Sequence, residues 1–116
     1  MKNYDNFTLP VSDIESAMDF YSVLGLTVKF DFSDQGLVAL KISENDAALV
    51  LKDVSKFPDA KPAIWFAVDD VRTEYELLRS KGIRFVTAPF QFYSGLAAEF
   101  EDPFGNRLGI TDYTGA

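Results

Sequence analysis

From residue 6 onward, apolar and polar side chains alternate. Phe7, Leu9 and Val11 are separated by Thr8 and Pro10, the period of a half-buried strand. The period then lengthens: Ile14, Ala17, Met18, Tyr21 and Leu24 recur at steps of three and four, one face of a helix. Ser12 and Asp13 stand where the N-cap is needed, and Ser12 with Glu15 fits a capping box. Gly25 suits the left-handed position that ends a helix. Strands are predicted over 27–32, 37–42 and 47–52, separated by turn formers at 33–36 and 43–46. Residues 54–62, with Pro58 and Pro62, read as a linker. The same order then returns. A strand over 63–68 leads to an Asp70-capped helix with Val71, Tyr75 and Leu78 on one face, stopped at Lys81 and Gly82. A strand over 83–87 runs into Pro89, which ends it or places it at an edge. Residues 90–94 read as a loop. Strands over 96–101 and 107–112 follow, joined by the turn-forming segment 102–106.

This return is a weak internal repeat. Val11, Asp13, Ile14, Gly25 and Leu26 match Val68, Asp70, Val71, Gly82 and Ile83 at a constant offset of 57 (68 − 11 = 57; 82 − 25 = 57). Any βαβ unit needs a cap and a stop, but equal spacing at about half the chain favours duplication. The fold class predicted is α+β, βαβββ twice, in one domain over 1–116. Module one covers about 4–53, the linker 54–62 and module two 63–113. Each helix covers one face of its sheet and leaves the other face for something else.

Composition narrows the chemistry. Hydrophobic residues are 47% and charged residues 25% of the chain, which favours a folded core over disorder. Eleven Lys and Arg against eighteen Asp and Glu leave a net charge of −7, the wrong sign for a phosphate backbone and the right one for a cationic ligand. There is no Cys and no His. Disulfides, thiolate nucleophiles, imidazole bases and His- or Cys-ligated metals are therefore excluded. No apolar run reaches the ~18–20 residues of a membrane span. The first residues lack a signal-peptide core, so a cytoplasmic protein is expected.

Three segments carry a resemblance. LPVSDIESAMDFYSVLGL at Leu9–Leu26, FAVDDV at Phe66–Val71 and FEDPFGNRLGI at Phe100–Ile110 resemble, in this order and spacing, the vicinal oxygen chelate superfamily. That superfamily includes glyoxalase I, extradiol dioxygenases, and fosfomycin- and bleomycin-resistance proteins. The resemblance covers nearly the whole chain. It implies two βαβββ modules that form an incomplete mixed-sheet barrel around a cavity, and a homodimer. It does not assign a function, because one scaffold hosts many. Metal-dependent members hold a divalent ion with two His and two carboxylates. The resemblance maps these ligands onto Asn6, Ala63, Gly109 and, when the turns are matched, Leu49. Ala, Gly and Leu offer no ligating side-chain atom, and one Asn oxygen does not hold a catalytic metal. No metal and no cofactor are expected.

Strand parity sorts the side chains within this implied fold. Phe7, Leu9, Val11, Ile64, Phe66, Val68, Leu108 and Ile110 are assigned to the helix side. Asn6, Thr8, Ala63, Trp65, Ala67, Arg107, Gly109 and Thr111 are assigned to the opposite side with Leu49 and Leu51, and Ala48 and Val50 pack behind the two leucines. Candidate ligand-binding residues follow: Asn6, Thr8, Leu49, Leu51, Trp65, Phe92, Tyr93, Glu99, Arg107 and Thr111. Trp65 reads either as a core or interface anchor or as a stacking wall for a planar or cationic ligand. Glu99 and Glu101 lie at i and i+2 on one strand face, which suits a solvated strand edge or a cation or acid–base site. Phe90, Phe92 and Tyr93 read as a lid over the cavity or as part of a dimer interface, with Gly95 as a hinge for a lid.

The leading function expected is metal-free binding of a small organic ligand, with the net charge suited to a cationic one, by sequestration in a cleft, as in bleomycin-resistance proteins. No catalytic residue is assigned. The alternative is a glyoxalase-like lyase or isomerase, or a dioxygenase-type enzyme, with a relocated metal site or with metal-free acid–base chemistry at Glu99, Glu101 or Tyr93. Enediolate chemistry needs a Lewis acid or strong oxyanion donors, and the sequence shows neither. No nucleic-acid or membrane partner is expected.

Overall fold

A computed structural model describes residues 1–92 and 95–113. The fold is α+β, and the βαβββ order occurs twice. The chain divides into two compact units, Asn6–Pro62 and Ala63–Ala116 with Met1–Asp5.

The first unit runs β1 (Asn3–Val11, whose first residues count with the second unit), α1 (Ile14–Val23), β2 (Thr27–Phe32), β3 (Leu37–Lys41) and β4 (Ala48–Asp53). A short 3₁₀ turn at Ser33–Gln35 joins β2 to β3. Its strand order is β2-β3-β4-β1, with β1 and β4 parallel and the other pairs antiparallel. The helix forms where the period predicts it. Asp13 is the N-cap in extended backbone; its side chain accepts from the Glu15 N–H at 3.1 Å and the Ser16 hydroxyl at 2.8 Å. The capping box expected at Ser12 is replaced by this arrangement one residue later. Gly25 has φ 95°, the left-handed geometry that ends the helix. Ile14, Val38, Leu40 and Leu51 form the buried core, with Leu9, Val11, Met18 and Leu49 against it. Leu24, assigned to the helix face, is instead the C-cap and 60% exposed.

The second unit runs β5 (Ala63–Ala67), α2 (Val71–Ser80), β6 (Phe90–Phe92), β7 (Gly95–Glu101) and β8 (Arg107–Thr111), in strand order β5-β8-β7-β6. The Asp70 side chain caps α2 by accepting from the Thr73 N–H at 3.1 Å. The core under α2 is Val68, Val71, Ala98, Phe100 and Ile110, with Phe66, Tyr75 and Leu108 packed on it. The N-terminal residues join this unit: the Lys2 N–H donates to the Ala67 carbonyl at 2.9 Å, and the Tyr113 hydroxyl donates to Asp5. Burial first, and then this bond to Asp5, push the Tyr113 phenol well above its usual pKa.

Two expectations for this unit are corrected. Residues 83–87 form no strand; only a single bridge joins Phe85 to Phe100. The Val86 and Thr87 N–H groups both donate to the Glu99 carbonyl, and the Thr87 hydroxyl accepts from the Glu99 N–H at 3.0 Å. A side-chain bond thus takes the place of the next ladder rung. Conversely, part of the expected loop at 90–94 is strand β6, which pairs Phe90 with Ala97 and Phe92 with Gly95. Tyr93 lies outside the described residues.

Candidate functional site

In the second unit, register fixes the face opposite α2. Ala63 pairs with Arg107 and Arg107 with Glu101; Trp65 pairs with Gly109 and Gly109 with Glu99; Ala67 pairs with Thr111 and Thr111 with Ala97. Paired residues share a face, so these three rows lie side by side. Alternation along β6 adds Phe90 and Phe92, whose rings meet edge to face with centroids 6.3 Å apart. Ala63, Trp65 and Ala97 form a buried cluster with Phe92 against it.

Trp65 is the centre of this face and is only 6% exposed. Its ring lies on Gly109, where an added Cβ would fall 2.4 Å from indole carbons. The indole therefore fills the space above residue 109. The packing reading describes Trp65 as it stands, and a stacked ligand would meet only the remaining edge of the ring.

Beside it stands a charged trio. Arg107 Nη1 is 3.5 Å from Glu99 Oε1, and Arg107 Nη2 is 3.4 Å from Glu101 Oε2. The three side chains are only 11%, 23% and 26% exposed, in the order Arg107, Glu99, Glu101. The solvated-edge reading of the two glutamates is thus corrected: residues 85–87 lie beside Glu99 and Phe100 on that side of β7, and both carboxylates are paired. Both ion pairs are longer than the ~2.7–2.9 Å of a tight charge-assisted bond. The Arg107 Nε is buried with no hydrogen-bond partner. The Thr111 hydroxyl is engaged, donating to the Leu96 carbonyl at 3.2 Å.

The other predicted residues lie elsewhere. Asn6 and Thr8 are in the first unit, where the Thr8 hydroxyl donates to the Asn6 side-chain oxygen at 3.2 Å and Thr8 is 3% exposed. Leu49 and Leu51 are a correction. Register pairs Phe7 with Leu49 and Leu9 with Leu51, so both leucines lie on the helix side, and Leu51 is fully buried against Ile14. Ala48 and Val50 take the opposite face beside Asn6 and Thr8. A slip of one residue moves a strand's whole side-chain set to the other face. The repeat then matches Val50 to Gly109, because Thr8 pairs with Val50 as Trp65 pairs with Gly109. Gly95 is also corrected. It is no hinge but a buried strand residue, where an added Cβ would lie 1.8 Å from the Asp112 carbonyl oxygen.

Sequence reasoning missed Phe90 as a strand residue, although aromatic–polar–aromatic alternation over 90–92 was the available signal. It also missed Asp112, which is 1% exposed. One Asp112 oxygen accepts from the Val71 N–H at 2.6 Å at the start of α2, and the other accepts from the Leu96 N–H at 2.9 Å.

The divalent metal that the resemblance implies does not fit. Among the described residues, no three Asp or Glu side chains gather as a metal site requires. The positions that would supply ligands hold Asn6, Val50, Ala63 and Gly109, and Trp65 blocks any side chain at the last.

A model of the Glyoxalase/Bleomycin resistance protein/Dioxygenase superfamily matches residues 3–110. The chain is 29% identical over 115 residues to Uncharacterized protein YurT of Bacillus subtilis (strain 168), with 86% of this chain and 91% of that one covered. Among solved structures it is similar to methylmalonyl-CoA epimerase from Mycobacterium tuberculosis, with TM-score 0.74, 22% identity, and 95% and 87% of the two chains covered. It is also similar to a superfamily member from Vibrio splendidus 12B01, with TM-score 0.68, 18% identity, and 92% and 96% covered. At these identities the two structures speak for the fold alone. With the repeated βαβββ unit and the match over residues 3–110, the chain belongs to the glyoxalase/bleomycin resistance protein/dioxygenase superfamily.

Proposed function

We propose that the protein binds a small organic ligand without a metal, at the face of the second unit opposite α2. The ligand is an organic cation with an apolar or aromatic body. One observation carries this reading: the Arg107 Nε is buried with no hydrogen-bond partner, inside a mostly buried Glu99–Arg107–Glu101 trio whose ion pairs are long. A purely structural buried network is expected to meet its hydrogen-bonding capacity. Here the pairs are long, and one guanidinium N–H has no acceptor. A ligand with an acceptor atom for the Arg107 Nε–H and a positive nitrogen beside Glu99 complements both features. Trp65 and Phe92 supply the apolar wall beside it. The overall charge of −7 draws cations toward such a face. Sequestration of a cationic drug or metabolite, as in drug-resistance members of the superfamily, is the role this chemistry fits. The proposal includes a homodimer, supported by exposed apolar side chains such as Phe20 (61%) and Phe104 (87%).

The test is Trp65 fluorescence titrated with a panel of organic cations. A saturable change with at least one of them is expected. Glu99→Gln and Glu101→Gln are expected to weaken that ligand about tenfold, roughly 1.4 kcal/mol. A flat response across the panel, or equal affinity in both variants, overturns the reading.

A further inference from the structure

The helix-bearing face of the first unit is incompletely covered, for a geometric reason. α1 has ten residues, about 15 Å of helix, whereas β1 has nine residues, about 30 Å of strand. The helix packs over Leu9, Val11 and Leu51 and then ends, and the chain turns away at Gly25. Register places Phe7 beside Leu49 and Leu49 beside Leu40, one apolar row across three strands that is buried in the core under α1 at its Leu40 end and uncovered at its Phe7 end. Phe7 is left 37% exposed, and Ile42, just past β3, is 76% exposed.

This row floors a pocket of about 460 Å³, walled by Leu26, Ile42 and Ala47 and edged by Lys41 and Asp46. The volume falls within the ~300–1,000 Å³ of ordinary small-molecule sites. The edge has a defined charge. Lys41 is engaged by Glu44, while the Asp46 carboxylate makes no hydrogen bond or ion pair among the described residues. Lys29 also acts on the Glu44 carboxylate, so both lysines are turned to Glu44 and Asp46 is the carboxylate left at the mouth of the apolar pocket.

We propose that this pocket is a second ligand site, separate from the face that carries Trp65, and that it takes an apolar primary amine. The aryl or branched-alkyl body lies on the Phe7–Leu49–Leu40 row, and the ammonium group sits at Asp46. An acid of the same shape is disfavoured, because Glu44 already engages the lysine.

The test is amide NMR of the full chain titrated with 2-phenylethylamine and, separately, with 3-phenylpropanoate. The amine is expected to shift the amides of residues 40–49 saturably, and the acid is not. Asp46→Asn is expected to weaken the amine about two- to fivefold, the size of an exposed ion pair. Ala47→Leu fills the pocket from a position outside the strands and is expected to abolish the shifts. Unmoved amides over 40–49 in the unaltered chain overturn the site, whatever the variants do. Equal binding of the acid, or unchanged affinity in Asp46→Asn, overturns the ammonium assignment.

Discussion

At position 109 an added Cβ would fall 2.4 Å from two ring carbons and 2.6 Å from a third, all belonging to the buried indole of Trp65. The two residues pack as one unit, so their substitutions are coupled. Gly109→Ala is expected to destabilise the protein by about 1–3 kcal/mol, as overpacking does. Trp65→Leu in the same chain is expected to recover part of that loss, because the clash disappears. Urea unfolding of the two single variants and the double variant checks this; additive losses contradict it. Asp112 tests a different dependence. Its carboxylate holds the Val71 and Leu96 N–H groups, 41 and 16 residues away in sequence. Asp112→Ala is expected to cost about 3 kcal/mol by the same measurement, the range for charge-assisted bonds whose donors are left buried. Neither dependence was legible in the sequence. A glycine shows no sign of the ring that lies on it, and an aspartate at a strand end shows no distant partners. Trp65 itself stood out as the single indole, but whether it was wall or filler rested on the residue across the ladder.

Element-scale signals were mostly local, and local signals were readable. Asp13 and Asp70 cap the two helices, and glycines end both, at φ 95° and 91°. Asp70→Ala is expected to cost about 1 kcal/mol in thermal or urea unfolding, the usual size of an N-cap. The misread elements depended on partners outside the segment. β6 is strand because β7 lies beside it, and 83–87 is not strand because the Thr87 hydroxyl takes over a backbone bond. The face of Leu49 and Leu51 was misassigned because both faces of β4 are apolar, so alternation gave no sign of parity. The β7–β8 turn adds a pH dependence. The Asn106 side chain, and after it the Asn106 backbone N–H, hold the Asp102 carboxyl below the usual carboxylate range. A depressed folded-state value adds stability above the unfolded-state value, and that stability is lost as pH falls through the folded-state value. The stability gap between the unaltered chain and Asp102→Asn is therefore expected near pH 7 and closes in acid. A gap independent of pH contradicts this role.

For the whole molecule, the repeat at offset 57 made the two βαβββ units visible before any coordinates, since spacing survives when most identities are lost. The metal mismatch came from the resemblance: it put Asn6, Ala63 and Gly109 at ligand positions, and Val50 replaces Leu49 once the register is fixed. What the sequence did not reveal was that the indole of Trp65 has taken up the space at one of those positions. The proposal that this chain holds an organic cation with its own side chains and without a divalent ion has two halves. Native mass spectrometry of the full chain, incubated with the cation panel and equimolar zinc, tests both halves at once. The predicted spectrum shows adducts of the organic cation and none of zinc, with the affinity for the cation lowered about tenfold in Glu99→Gln. A stoichiometric zinc adduct, or the absence of any organic adduct across the panel, would contradict it.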